Sequence, residues 1–124
     1  TGWLSNREIQ KLVEQSNLGL FPSRIESFGL SVVEAMAAGL PIVTASGGAI
    51  PENVKEGVTG MLVPINNVDA LTKAIIFSLE NPQRAESLAK AAKTEVQKKF
   101  IWDKTADSMI NLYHSTLQGY KSTV

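Results

Sequence analysis

The 124-residue sequence contains no cysteine, one histidine (His114) and three aspartates (Asp69, Asp103 and Asp107). Without cysteine there is no disulfide scaffold, no thiolate metal site and no cysteine nucleophile. The lone histidine falls late in the chain, within a helical pattern, where it serves packing better than a Ser-His-Asp triad. The scattered aspartates form no Asp-x-Asp pair for a metal-held nucleotide, and no metal or cofactor is expected. Neither GxxxxGK[ST] nor GxGxxG occurs, which excludes a P-loop and the standard dinucleotide fingerprint. No apolar run approaches the roughly 18 residues that a membrane span needs. Charge of one sign is also lacking: 12 Lys+Arg balance 12 Asp+Glu, against a general nucleic-acid binder. The N-terminus is polar within a few residues, so no signal peptide is read there, and a cytoplasmic setting is expected.

What is present is ordinary for one globular domain, with 44% hydrophobic and 19% charged residues. The chain starts without Met, and Thr1-Gly2-Trp3-Leu4 runs directly into a helix start. It therefore reads as a piece of something longer. Ser5-Asn6-Arg7-Glu8 has the capping-box form, and Ile9, Leu12 and Val13 follow at one-face helical spacing over 6–15. Leu18 to Phe21 is a short apolar run stopped by Pro22, as for a buried strand. A helix is predicted over 29–38, closed by Gly39 as a C′ residue. A β-branched strand follows over 41–45, then a Ser46-Gly47-Gly48 turn and a short helix from Pro51 to about Lys55. Met61-Leu62-Val63 is a third strand, stopped by Pro64.

Asn67 caps a predicted helix with Val68, Leu71, Ile75 and Leu79 on one face. Two more follow, one marked by Ala85, Leu88, Ala89, Ala92, Val96 and Phe100. The other is marked by Trp102, Ala106, Met109, Ile110, Tyr113 and Leu117. Strand–helix alternation of this kind gives an α/β class. We expect a Rossmann-like parallel sheet of about three to four strands, with flanking and C-terminal helices. Ligands of such sheets sit beyond the carboxyl ends of the strands, here Pro22–Ser27, Ala45–Gly48 and Pro64–Asn66.

The segment from Phe21 to Leu30 joins a strand end to a helix start. The first N–H groups of that helix lack internal partners and, with the helix dipole, suit an anion such as phosphate. Glu26 lies in this loop and Glu34 about one turn inside the helix. Glu34 has two readings: a solvent-facing residue of an amphipathic helix, or a carboxylate that accepts the two O–H donors of a ribose. Gly47-Gly48 followed by Glu52 is either a plain turn or a loop presenting amides to a diphosphate or sugar. Arg24 and Lys55, the basic residues near these loops, read as surface charges.

Taken together, the run Pro22-Ser-Arg-Ile-Glu26-Ser-Phe28-Gly29-Leu30-Ser-Val-Val-Glu34-Ala35-Met36-Ala37-Ala-Gly39-Leu-Pro41-Ile-Val43 resembles the Glu-x7-Glu signature of retaining GT-B glycosyltransferases. Gly47-Gly48-Ala-Ile-Pro-Glu52, Gly57-Val-Thr-Gly60-Met-Leu-Val63-Pro64 and Asp69-Ala-Leu71 resemble that family in the same order. The resemblance covers nearly the whole chain. It implies a nucleoside-diphosphate sugar (UDP-, GDP- or ADP-linked) as ligand and transfer of a hexose to an acceptor hydroxyl with retention. It implies that Glu34 holds the ribose hydroxyls and that Glu26, as the catalytic candidate, lies near the donor sugar. Phe28, Gly29 and Leu30 would contact sugar and diphosphate through their amides, with Gly48 and Glu52 as further substrate-binding candidates.

Residues 1–124 match only the later part of that family's second, donor-binding domain. The N-terminal acceptor domain is the expected missing partner. The early donor-domain segment, with its Arg and Lys for the departing diphosphate, is missing too. The isolated chain is therefore expected to be inactive. A sheet edge left uncovered would invite self-association, and Trp102 and Tyr113 would lack their usual partner domain. The competing expectation is a non-catalytic α/β binding or scaffold module.

Overall fold

A computed structural model describes residues 2–121, with side chains through residue 118. Nine elements follow in order: α1 (Asn6–Glu14), β1 (Gly19–Phe21), α2 (Leu30–Ala38), β2 (Ile42–Ala45), α3 (Ile50–Asn53), β3 (Met61–Val63), α4 (Val68–Glu80), α5 (Pro82–Lys99) and α6 (Trp102–Lys121). The sheet has three strands in the order β1-β2-β3. All are parallel, with Leu20 beside Val43 and Thr44 beside Leu62. The expected α/β class and its parallel sheet are thus what the chain adopts.

Strand β2 shows why the sheet must be covered on both faces. Ile42, Val43, Thr44 and Ala45 are all buried, although successive side chains point to opposite faces. Ile42 joins a core built with Val32, Val33, Met36 and Leu40 of the α2 region and with Ala92 and Val96 of α5. Val43 and Ala45 join a second core with Val63 and with Ala74 of α4. Thr44, the polar residue in the strand, is satisfied by donating from Oγ1 to the Phe21 carbonyl at 3.2 Å. Burying each aliphatic side chain of this kind contributes about 1.5–3 kcal/mol.

Local signals set the ends of the elements. Gly39 closes α2 in the left-handed conformation, and Leu40 N–H donates to the Ala35 carbonyl at 3.0 Å. Asn67 caps α4, its Oδ1 accepting from Ala70 N–H at 2.9 Å. At α1 the Glu8 carboxylate accepts from the Ser5 N–H at 2.7 Å and from the Ser5 hydroxyl at 2.6 Å.

Two helical faces differ from their sequence patterns. In α4, Val68 and Leu79 are 72% and 58% exposed, whereas Ala74 and Ser78 are buried. The helix presents small side chains to the sheet, and Ser78 is tolerated there because its hydroxyl donates to the Ala74 carbonyl at 2.8 Å. In α6, Trp102, Met109, Ile110, Tyr113 and Leu117 are all exposed. That apolar stripe lies outside both core clusters, and His114 on the same helix is exposed rather than packed. In α5 the residues Ala85, Leu88, Ala89, Ala92 and Val96 are buried as their spacing predicts, whereas Phe100 lies beyond the helix end and is exposed.

The loop after β1 and the loop after β2 are pressed backbone to backbone. Ala49 N–H donates to the Glu26 carbonyl at 2.9 Å. A Cβ on Gly47 would collide with the Arg24 carbonyl, and one on Gly48 with the Glu26 carbonyl. Gly48 also has φ +59°, so it serves both conformation and close approach.

Two outcomes follow from these contacts. Gly48→Ala should cost about 1–2 kcal/mol for the left-handed backbone and about 1–3 kcal/mol more for overpacking, read by urea denaturation. Gly57→Ala is the control: its φ is +66° but no atom lies within 4 Å of an added Cβ, so only the first of these costs should appear. Equal losses in the two variants would contradict the loop packing. The second outcome concerns pH. The Ser5 hydroxyl and N–H hold the Glu8 carboxyl below its ordinary value. Its contribution is present above the unfolded value and is lost as pH falls through the folded one. The first turn of α1 should therefore fray on acidification below the usual carboxylate range, seen as converging Ser5–Glu8 amide shifts. Glu8→Gln should already show the frayed shifts at neutral pH.

Candidate functional site

The Gly-Gly contact leaves the start of α2 facing outward. Gly29 precedes the helix in the left-handed conformation, and its carbonyl accepts from Val33 N–H at 3.0 Å. The N–H groups of Leu30, Ser31 and Val32 meet no acceptor among the described residues. Leu30 and Ser31 are exposed. Two carbonyls that could have extended the helix backward, those of Glu26 and Phe28, are taken instead by Ala49 N–H and by Asn53 Nδ2, the latter at 2.7 Å. The helix therefore begins abruptly, with open donors and the positive end of its dipole at the carboxyl side of the sheet.

Beside this helix start, α1 and α2 enclose a cleft of about 310 Å³. Ile9, Val13 and Ala35 give it apolar walls, while Asn6, Ser31 and Glu34 bring polar groups. Its volume is at the lower end of the range for small-molecule sites. Glu34 is exposed and makes no ion pair or hydrogen bond among the described residues. The neighbours that made it look enclosed in sequence, Val32, Val33 and Met36, turn the other way into the core. Glu34 thus faces solvent, as one of its two readings expects, and its outward face also lines the cleft.

The remaining sequence candidates distribute as follows. Ser31, in the open first turn of α2, and Glu34 line the same cleft, whereas Glu26 and Glu52 do not. Glu26 is partly buried in the β1–α2 loop, and Gly48 lies against its backbone. Phe28 is exposed at one edge, its ring set edge-on to Phe100 at 5.6 Å between centroids. The Glu52 side chain is exposed, and its carbonyl accepts from Lys99 Nζ at 2.9 Å. Arg24, Pro22, Ala45, Pro64 and Asn66 frame a smaller cavity of about 180 Å³, where the ends of all three strands converge. Lys55 is held by Glu95 at 2.5 Å, a surface pair as expected. Among the described residues no group of three or more His, Asp or Glu could hold a metal ion. No helix there is long and apolar enough to cross a membrane.

Sequence reading passed over Asn53 and Lys99, which brace the β1–α2 loop. A signal was there. Ile50, Asn53 and Val54 fall at i, i+3 and i+4, so a polar residue occupies a position of the buried face of α3.

Comparison with known proteins shows the family and the fold. The chain is 34% identical over 116 residues to a D-inositol 3-phosphate glycosyltransferase of Mycobacterium avium, covering 94% of this chain and 27% of that protein. It superposes on sucrose-phosphate synthase from Thermosynechococcus elongatus with a TM-score of 0.84 and 32% identity, over 96% of this chain and 30% of that one. It superposes on HepE of Anabaena in complex with UDP-glucose with a TM-score of 0.78 and 27% identity, over 85% of this chain and 29% of that one. The chain thus spans under a third of the length of these relatives. Residues 1–95 match the family described as glycosyl transferases group 1, and the chain belongs to that family, with the α/β architecture of a GT-B C-terminal domain.

Proposed function

We propose that residues 1–124 are the later part of a nucleotide-sugar donor domain and bind a nucleoside-diphosphate sugar across the start of α2. The observation that carries this reading is the juxtaposition of two features. The open N–H groups of Leu30 and Ser31 stand at a helix N-terminus, and the unpaired Glu34 carboxylate stands in the adjoining cleft. A diphosphate is matched by the first and a ribose diol by the second. The complex of the Anabaena relative with UDP-glucose supports the same ligand class.

In this reading Glu34 accepts the two ribose hydroxyls. The amides of Phe28, Gly29 and Leu30 meet the sugar and diphosphate, and Glu26 lies near the sugar as the catalytic candidate. Gly48 and Glu52 complete the substrate contacts. The parent enzyme transfers a hexose to an acceptor hydroxyl with retention at the anomeric carbon. Charge that develops on the departing diphosphate is stabilised by donors already fixed before the reaction. Transfer also needs the acceptor held against the anomeric carbon, and this chain supplies no acceptor-binding half. The chain alone is therefore inactive, and an N-terminal acceptor domain is its partner. Among the described residues β1 and β3 are the edge strands of the sheet, and these edges offer a route to self-association when that partner is absent.

Amide-shift titration with UDP, GDP and ADP tests the site. Shifts should centre on Leu30, Ser31 and Glu34 for at least one of the three. Hydrogen bonds to a charged group contribute about 1.5–3 kcal/mol, so Glu34→Ala should weaken that ligand roughly 10-fold or more. A variant that binds as tightly as the native chain would remove Glu34 from the site. Silence toward all three nucleotides at millimolar concentration would overturn the donor reading.

A further inference from the structure

Asn53 is a buried polar residue, 8% exposed, whose side chain is occupied at both ends. Its Nδ2 donates to the Phe28 carbonyl at 2.7 Å, and its Oδ1 accepts from Lys99 Nζ at 3.2 Å. Lys99 reaches it from the last turn of α5 and also donates to the Glu52 carbonyl at 2.9 Å. The ammonium lies 5.1 Å from the centroid of the Phe100 ring, which in turn packs edge-on against Phe28. The end of α5 therefore grips the β1–α2 loop by a polar route through Asn53 and an aromatic route through Phe100.

The polar route has a direction built into it. An amide side chain can turn over, exchanging its oxygen and nitrogen. An ammonium group only donates, so Lys99 is compatible with Oδ1 facing it and not with the amide NH2. With Oδ1 fixed on Lys99, Nδ2 must face Phe28. The Phe28 carbonyl stands four residues before Val32, where it could close a further turn of α2. Held by Asn53, it is withdrawn from Val32 N–H, and the bonding of the helix begins with Val33 N–H on the Gly29 carbonyl, so the backbone of the first turn is set from the Phe28 side.

We propose that Asn53, oriented by Lys99, is a positioning residue for the diphosphate-binding first turn of α2. It touches no ligand itself and acts through the Phe28 carbonyl. The inference rests on the donor-site reading above, and it concerns the diphosphate end of that site rather than the ribose end at Glu34.

The test compares each nucleoside diphosphate that the native chain binds with its parent nucleoside, by amide-shift titration of the 124-residue chain. Binding of the nucleoside is read as the initial slope of the Glu34 shift, which requires no saturation. Asn53→Leu should raise the Kd for the diphosphate about 10-fold, as expected for loss of one well-made polar contact, with the nucleoside slope changed less than about twofold. Lys99→Met, at an exposed position, should act in the same direction by about threefold, because the amide is then free to turn over. Lys99→Arg retains a donor-only cation and should restore most of the diphosphate affinity. Should Asn53→Leu fail to fold, the two Lys99 variants decide the matter alone. Native diphosphate affinity in Lys99→Met, or equal weakening of nucleoside and diphosphate, would overturn the positioning role while leaving the donor site standing. A native chain that binds no nucleotide overturns the donor reading and this inference with it.

Discussion

The structure depends on the contact between two loops at the carboxyl edge of the sheet. Gly47 and Gly48 let the turn after β2 lie against the backbone of Arg24 and Glu26, and Ala49 N–H closes on the Glu26 carbonyl. No side chain could stand between them. This contact takes away a carbonyl that would otherwise prolong α2 toward its N-terminus. The helix then ends its hydrogen-bonding where the sheet ends, with unpartnered donors at the place where α/β sheets receive ligands. The two glycines and the helix terminus are thus one device, and the neighbouring cleft adds a carboxylate to it. Loops of this type usually move more than the elements that they join. Here α5 restrains the assembly from behind through Lys99 and Phe100.

Much of the fold was legible because short-range chemistry decided it. β-Branched residues in β2, the Gly39 terminator, the Asn67 cap and the small-residue stripe of α5 each carry their own physical reason. What was not legible depended on partners. In the α4 stripe Leu71 packs against the second core and Ile75 is half-buried, as the period predicts, but the two ends, Val68 and Leu79, are exposed. The sheet accepts Ala74 and Ser78 at close range and leaves Val68 and Leu79 outside. Residues Trp102 to Leu117 have a regular apolar period, yet the large apolar side chains of that stripe stay exposed. The period predicted the helix correctly, but a face buries only where something covers it.

The site divides in the same way. The open helix start and the Gly-Gly turn could be located from residue type and order. Glu34 was ambiguous in sequence because spacing does not say whether an exposed helical face looks on water or on a cleft. The packing of α1 against α2 supplies the cleft. Asn53 escaped notice because one polar residue at an apolar-face position is a weak signal by itself. Its meaning appears only when Lys99, 46 residues later, is brought beside it. The chain spans 27% of the length of its Mycobacterium avium relative. The donors that the fold presents are arranged by backbone contacts internal to the chain.

Amide hydrogen exchange of the unliganded chain tests this arrangement most directly. The account predicts that the N–H groups of Leu30 and Ser31 exchange close to the unprotected rate, while Ala49 N–H, only a loop away, is retained. Protection of Leu30 and Ser31 equal to that of Ala49 would mean that the helix start is closed by the chain itself, and the account would be wrong.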